Sequence, residues 1–117
     1  MIFLASPYSD PNPEVRQSRF EAVAKCAAKL RANGLRVFSP ICHSHPIAVA
    51  GDLPLDYSYW KELSDWGLRN CDRFWVLQLA GWQRSKGLDS ELKIAAALLG
   101  AGLLKEIRYV DPKETNP

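Results

Sequence analysis

The stretch RFWVLQLAGWQRSKGLDSELKIAAALLG, residues 73–100, decides the fold class. Its first seven residues form an apolar run without the alternation of a half-solvated strand, the pattern of a strand covered on both faces of a parallel sheet. AGWQRSKG at 80–87 then turns the chain. From Leu88 the apolar residues Leu92, Ala95, Leu98 and Leu99 recur at threes and fours, the period of a helix with one buried stripe. Glu91 falls on that same stripe, so its carboxylate must either escape to water or have a task.

The alternation runs outward in both directions. IFLAS at 2–6 reads as a first strand ending at Pro7. A helix follows from about Pro13, with Val15, Phe20, Val23, Ala24, Ala27, Ala28 and Leu30 at helical spacing and Asn33-Gly34 closing it. Leu35 to Ser39 suits a second strand stopped by Pro40. Residues 40–56, rich in Pro and Gly yet apolar, read as a long irregular loop of a functional or lid-like kind. Tyr57 to Asn70 is predicted helical, and KEIRYV at 105–110 supplies a last strand. The order β-α-β-α-β-α-β predicts a single α/β domain over 1–111, followed by a polar C-terminal tail, 112–117. Its sheet is expected to be open and mostly parallel with helices on both faces, a three-layer architecture of the flavodoxin-like or Rossmann-like kind. Ligands of such sheets bind beyond the carboxyl ends of the strands, near the switch in strand order. SPYSDPNP (6–13), PICHSHP (40–46) and AGWQRSKG should therefore gather at one edge.

Of 117 residues, 47% are hydrophobic and 24% charged, which excludes the low-hydrophobicity regime of disorder. Fifteen basic residues are scattered among thirteen acidic ones with a net charge of +2, so no basic stripe exists to neutralise a nucleic-acid polymer. The longest apolar run, IAAALLGAGLL at 94–104, is short of the roughly 20 residues that span a bilayer, and no membrane association is expected. MIFLAS lacks a basic n-region and a cleavable apolar segment, so a cytoplasmic location is expected. There Cys26, Cys42 and Cys71, with no CxxC pair, are reduced thiols.

Ser85-x-Gly87-x-x-x-Glu91 offers a hydroxyl, a close backbone approach and a helix N-terminus, which together could hold a phosphate. It is neither a P-loop nor a dinucleotide fingerprint. The competing reading makes Ser85 a helix cap and Glu91 a dipole partner; a capping box is excluded because Leu88 stands three residues before Glu91. Asp65 lies four residues from both Lys61 and Arg69, where an exposed ion ladder competes with a site role. Asp72, at the start of a strand, reads equally as a turn or cap. Cys42-His43-x-His45 has too few ligands at matching spacing for a zinc site, so no metal is expected. His43 and His45 either line the pocket or make structural hydrogen bonds. Tyr8 could stack on a base or bond a sugar, Arg16 and Arg19 could reach a phosphate or form surface ion pairs, and Trp82 sits in the site loop. No Gly-x-Ser-x-Gly elbow supports a hydrolase triad.

Together, LASPYS at 4–9, Asp65 ahead of the Cys71-Asp72 pair, an apolar strand, and Ser85-x-Gly87-x-x-x-Glu91 with Ala95 after it resemble the nucleoside 2-deoxyribosyltransferase superfamily. SPYS, SPICHSH and GWxxSxGxxxE look like the marks of a small subfamily within it. The resemblance covers nearly the whole chain. It implies that Glu91 is the nucleophile that attacks the anomeric carbon and forms a covalent glycosyl-enzyme, and that Asp65 protonates or contacts the departing base. Tyr8 would lie near the sugar and base, with Ser85 and Gly87 on the 5′ side; Ser6, Arg16, Arg19, His43, His45 and Trp82 complete the candidate substrate-binding set. The implied activity is N-glycosidic bond cleavage or transfer on a nucleoside or nucleoside 5′-monophosphate, a hydrolase with water as acceptor and a transferase with a second base. No cofactor is implied. A homo-oligomer is, because transferases of that superfamily often complete the site from a neighbouring subunit. The reading from another class is a non-catalytic nucleotide-binding or sensing domain on the same scaffold.

Overall fold

The two most apolar runs take the central places of a four-stranded, all-parallel sheet. β1 (Ile2–Ala5) pairs with β3 (Arg73–Leu77), from Ile2 opposite Arg73 to Ala5 opposite Val76. β2 (Val37–Phe38) lies outside β1 and β4 (Glu106–Val110) outside β3, in the order β2-β1-β3-β4. The structure, a computed structural model, describes residues 1–114; residues 115–117 of the expected tail lie outside it.

Successive strand residues point to opposite faces. Ile2, Leu4, Trp75, Leu77 and Val110 meet Val23 and Leu30 of α1 (Pro13–Ala32) on one face. Phe3, Ala5, Phe74 and Val76 meet Leu68 of α3 (Tyr57–Asn70) and Leu88 and Ala95 of α4 (Lys86–Gly100) on the other. Both faces of β1 and β3 are buried, the physical reason their sequences show no polar alternation. The architecture is the expected three-layer α/β fold, an open parallel sheet with helices on both sides.

Residues 40–51 correct the expectation of a long irregular loop. They form α2 (Pro40–Gly51), which packs against α1 and α3. The Ser39 hydroxyl accepts from the Cys42 N–H at 3.1 Å, and Pro40 sits at the first helical position, where no N–H is needed. Pro46 lies within the helix and deprives the Cys42 carbonyl of its usual donor. Asp52 ends the helix in the left-handed region at φ 52°, and the Leu53 N–H returns to the Ala48 carbonyl at 2.9 Å. Prolines read as breakers thus conceal a Ser-Pro helix start, and only 52–56 of the expected loop is irregular. The strands are also shorter than expected: Ser6, Gln78 and Leu79 lie beyond strand ends, and β2 is reduced to two residues.

From β1 the chain moves outward to β2 and then crosses back over β1 to β3, so the strand order switches between β1 and β3. Right-handed crossovers put the returning helix on the opposite face from α1 and leave a crevice at the carboxyl ends of β1 and β3. Asp72 marks the other edge. It binds the Met1 ammonium at 2.9 Å and Lys105 at 3.2 Å, contacts that hold its carboxyl at about 2. Cys71 is buried in the core as α3 ends, and all three cysteines are free thiols. Among the described residues no helix is long and apolar enough to cross a membrane.

Gly67 lets α3 lie close to the sheet. A Cβ there would come within 2.4 Å of the Phe38 ring and 3.0 Å of the Phe3 ring, which stacks on Phe74 at 5.4 Å. Alanine gains about 1 kcal/mol of helix propensity, but overpacking costs roughly 1–3 kcal/mol. Gly67→Ala is expected to lower stability by up to about 2 kcal/mol in urea denaturation; a raised midpoint would show that the rings yield.

Candidate functional site

Beyond the end of β1, between α2, α3 and α4, lies a cavity with about 550 Å³ of space between its walls, open solvent at the mouth included. α3 presents Tyr57, Trp60 and Ser64 to it, spaced i, i+3 and i+7 so that all three share one helix face. α4 contributes its first two turns, from Ser85 to Glu91. Ser6 and Tyr8 come from the segment after β1, and Ser44 from α2.

Glu91 is 5% exposed, one of few polar side chains inside the protein. Burial pushes its carboxyl up to about 8; the Ser64 hydroxyl beside it pulls the other way, and the neighbouring charge of Asp65 pushes further up. Tyr57 is raised to about 12, by burial first and then by Glu91 and Asp65, so it is a phenol at every physiological pH. Among the described residues the buried side-chain atoms without a hydrogen-bond partner are Ser6 Oγ, Ser44 Oγ, Tyr57 Oη and Asp65 Oδ1. Three belong to the cavity wall, and the fourth to the carboxylate that acts on Glu91. Each such atom costs roughly 1–3 kcal/mol when unpaired. Their clustering around one cavity points to a ligand that bonds them.

Of the residues singled out from sequence, the fold brings Ser6, Tyr8, Ser85, Gly87 and Glu91 to the wall. Ser85 caps α4, its hydroxyl accepting from the Leu88 N–H at 3.2 Å, while also facing the cavity. At Gly87 a Cβ would stand 3.2–3.4 Å from the Tyr57 side chain, so glycine there lets Tyr57 lie against the first turn of α4. Asp65 pairs with Lys61 at 3.0 Å through one oxygen and keeps the other buried.

The rest stand elsewhere. Arg16 donates to the Asp10 carbonyl at 2.5 Å. Arg19 donates to the carbonyls of Tyr8, Ser9 and Ala80 at 3.0–3.2 Å, tying the segment after β1 to the segment after β3. Neither arginine lines the cavity, nor does any lysine. Trp82 packs on Tyr109 with ring centroids 5.5 Å apart. His43 is exposed on α2, and His45 is buried behind Tyr8. Among the described residues no three His, Cys, Asp or Glu side chains gather as metal ligands. Sequence reading missed Tyr57, Ser44 and Ser64. The detectable signal was Ser64 on the apolar stripe of α3, a polar residue as out of place there as Glu91 on α4.

The wall combines a buried acid, hydroxyls with unused bonding capacity and the aromatic rings of Tyr57 and Trp60. It can hold a neutral, partly planar, hydroxyl-bearing molecule and present a carboxyl to it. A family described as Domain of unknown function (DUF1937) matches residues 1–102, a span that contains every residue of this wall. Comparison with curated proteins returned no match.

Because Glu91 titrates near 8 in the folded chain against an ordinary 4.5, the folded state holds its proton more tightly than the unfolded one. The stability it costs is absent below about pH 4.5, grows as pH rises and is complete above about pH 8. Glu91→Gln is therefore expected to exceed the parent in stability by a few kcal/mol at about pH 9 and by much less near pH 4. Denaturation at the two pH values checks this; a pH-independent difference would place the carboxyl in water.

Proposed function

The chain belongs to the family described as Domain of unknown function (DUF1937), and we propose that its cavity cleaves or transfers the N-glycosidic bond of a nucleoside. The observation that carries this reading is the buried Glu91 in a wall of unpartnered hydroxyls. A carboxylate shielded from bulk water is a stronger nucleophile than a solvated one, and sugar hydroxyls are the natural complements of Ser6, Ser44 and Tyr57. The absence of Lys and Arg from the wall, and the engagement of Arg16 and Arg19 by carbonyls, favour a nucleoside over its 5′-monophosphate.

In the proposed reaction the Glu91 carboxylate attacks C1′ as the bond to the base breaks. The bonding electrons leave with the base, which takes a proton from water. Water then attacks C1′ of the ester and gives up its spare proton to solvent, releasing the sugar and regenerating the Glu91 carboxylate; a second base in place of water, losing its ring N–H proton to solvent, completes a transfer. Tyr57, held as a phenol, donates a hydrogen bond to the substrate. By the same reading the protein works in the cytoplasm as a homo-oligomer, with no metal or cofactor. Exposed Tyr59 and Trp66 on α3 support a contact between copies beside the cavity.

A nucleophile must be ionised, so the rate is expected to rise about tenfold per pH unit up to about 8 and then level. Glu91→Ala should reduce base release by roughly a thousandfold or more. Chromatographic assay of free base and sugar across a nucleoside set tests both; undiminished release by the variant removes Glu91 from the mechanism. The second reading, a nucleotide-binding module without turnover, draws on the proton that Glu91 retains at neutral pH. It requires a nucleotide-induced rise in melting temperature with no base release at any pH.

A further inference from the structure

His45 is buried on α2 and makes a hydrogen bond through each ring nitrogen. Nε2 lies 2.8 Å from Gln17 Oε1, and Nδ1 lies 2.5 Å from the Tyr8 hydroxyl. The Gln17 amide is itself oriented, since its Nε2 donates to Glu21 Oε1 at 3.2 Å and its oxygen must therefore face the imidazole. An amide oxygen only accepts, so His45 Nε2 carries the proton and Nδ1 of the neutral ring is an acceptor. The Tyr8 proton must then point at Nδ1. Phe20 stacks on the imidazole at 4.5 Å and holds its plane.

We propose that His45 is a positioning residue that keeps the Tyr8 proton turned away from the cavity, so that the Tyr8 oxygen meets a ligand only as a hydrogen-bond acceptor. Ser6, Ser44 and Tyr57, whose hydroxyls have no partner, are free to donate. The wall thus has an assigned polarity: the ligand must offer an O–H or N–H to Tyr8. Within the nucleoside reading, on which this inference rests, the donor is a sugar hydroxyl or an exocyclic amine of the base.

The groups around the imidazole maintain the neutral ring. Arg16 of α1 and Tyr8 face it, and Glu14 and Glu21 of α1 line the cleft beside it. Burial first, and Arg16 second, hold His45 below its ordinary value, and burial keeps Tyr8 protonated. Protonating His45 would make Nδ1 a donor and drive the Tyr8 proton into the cavity, inverting what the wall accepts.

Long-range nitrogen–proton NMR of the unliganded chain at about pH 7.5 reads the tautomer directly. The expected pattern is protonated Nε2 and bare Nδ1; a protonated Nδ1 overturns the inference whatever any ligand does. Calorimetric binding is then measured on a Glu91→Gln background, so that nothing is turned over, with adenosine, inosine and the 2′-, 3′- and 5′-deoxyadenosines as probes. Tyr8→Phe and His45→Leu should each weaken adenosine by roughly three- to tenfold, and the analogue lacking the relevant donor should be insensitive to both changes. That analogue tells the base amine from the sugar hydroxyl. His45→Asn, which keeps an acceptor within reach of Tyr8, should restore most of the affinity. Equal affinity in His45→Leu and the background protein overturns the inference, and the far-ultraviolet spectrum of each variant shows whether it is folded. Absence of binding by every nucleoside overturns the nucleoside reading and the ligand half of this one, while the resonances still report the tautomer.

Discussion

Parallel pairing of β1 with β3 at the centre of the sheet is the constraint from which the rest of the molecule follows. Because β2 lies outside β1, the chain must cross back over β1 before it can lay down β3. With right-handed connections that crossing transfers the chain from one face to the other, so α1 covers one side and α3 and α4 the other. The two helix layers diverge at the carboxyl ends of β1 and β3. There the strands stop early, at Ala5 and Leu77, and the backbone that continues forms part of a cavity wall instead of a longer sheet. Arg19 stabilises this opening by spanning it, its guanidinium shared among carbonyls from both sides.

Within that opening the structure works against its own stability. A carboxyl removed from water beside a second carboxylate, together with unpaired hydroxyls, costs free energy that a wholly apolar filling would not. The cost is offset elsewhere by the stacked Phe3 and Phe74 and by the two buried faces of the sheet. The switch in strand order between β1 and β3 is what places the crevice at this end of the parallel sheet.

The polar residues also differ in what they are for. Arg16, Arg19 and His45 are near the cavity in sequence and in space, yet each is held by hydrogen bonds to the protein itself. Ser6, Ser44 and Tyr57 have theirs unengaged. Residue type and spacing cannot separate the two groups, because a charged or hydroxylated side chain near a strand end is compatible with both. Only the census of partners does so.

Much of the architecture was determined by the sequence alone. Unbroken apolar runs at β1 and β3 required a sheet covered on both faces, and helical periodicity in α1 and α4 supplied the covers; Glu91 announced itself because a carboxylate on an apolar stripe is a local contradiction. These signals are legible because period and hydrophobicity act over a few neighbouring residues. The helix at Pro40–Gly51 was not legible, since its two prolines and small residues give no period, and it is held by Ser39 and by packing between α1 and α3. The strand order, the contact of Gly87 with Tyr57 and the hydrogen-bonded line from Tyr8 through His45 to Gln17 were decided by tertiary structure. Each joins residues roughly thirty or more positions apart, and the orientation of a hydroxyl or an imidazole depends on which distant atom it meets.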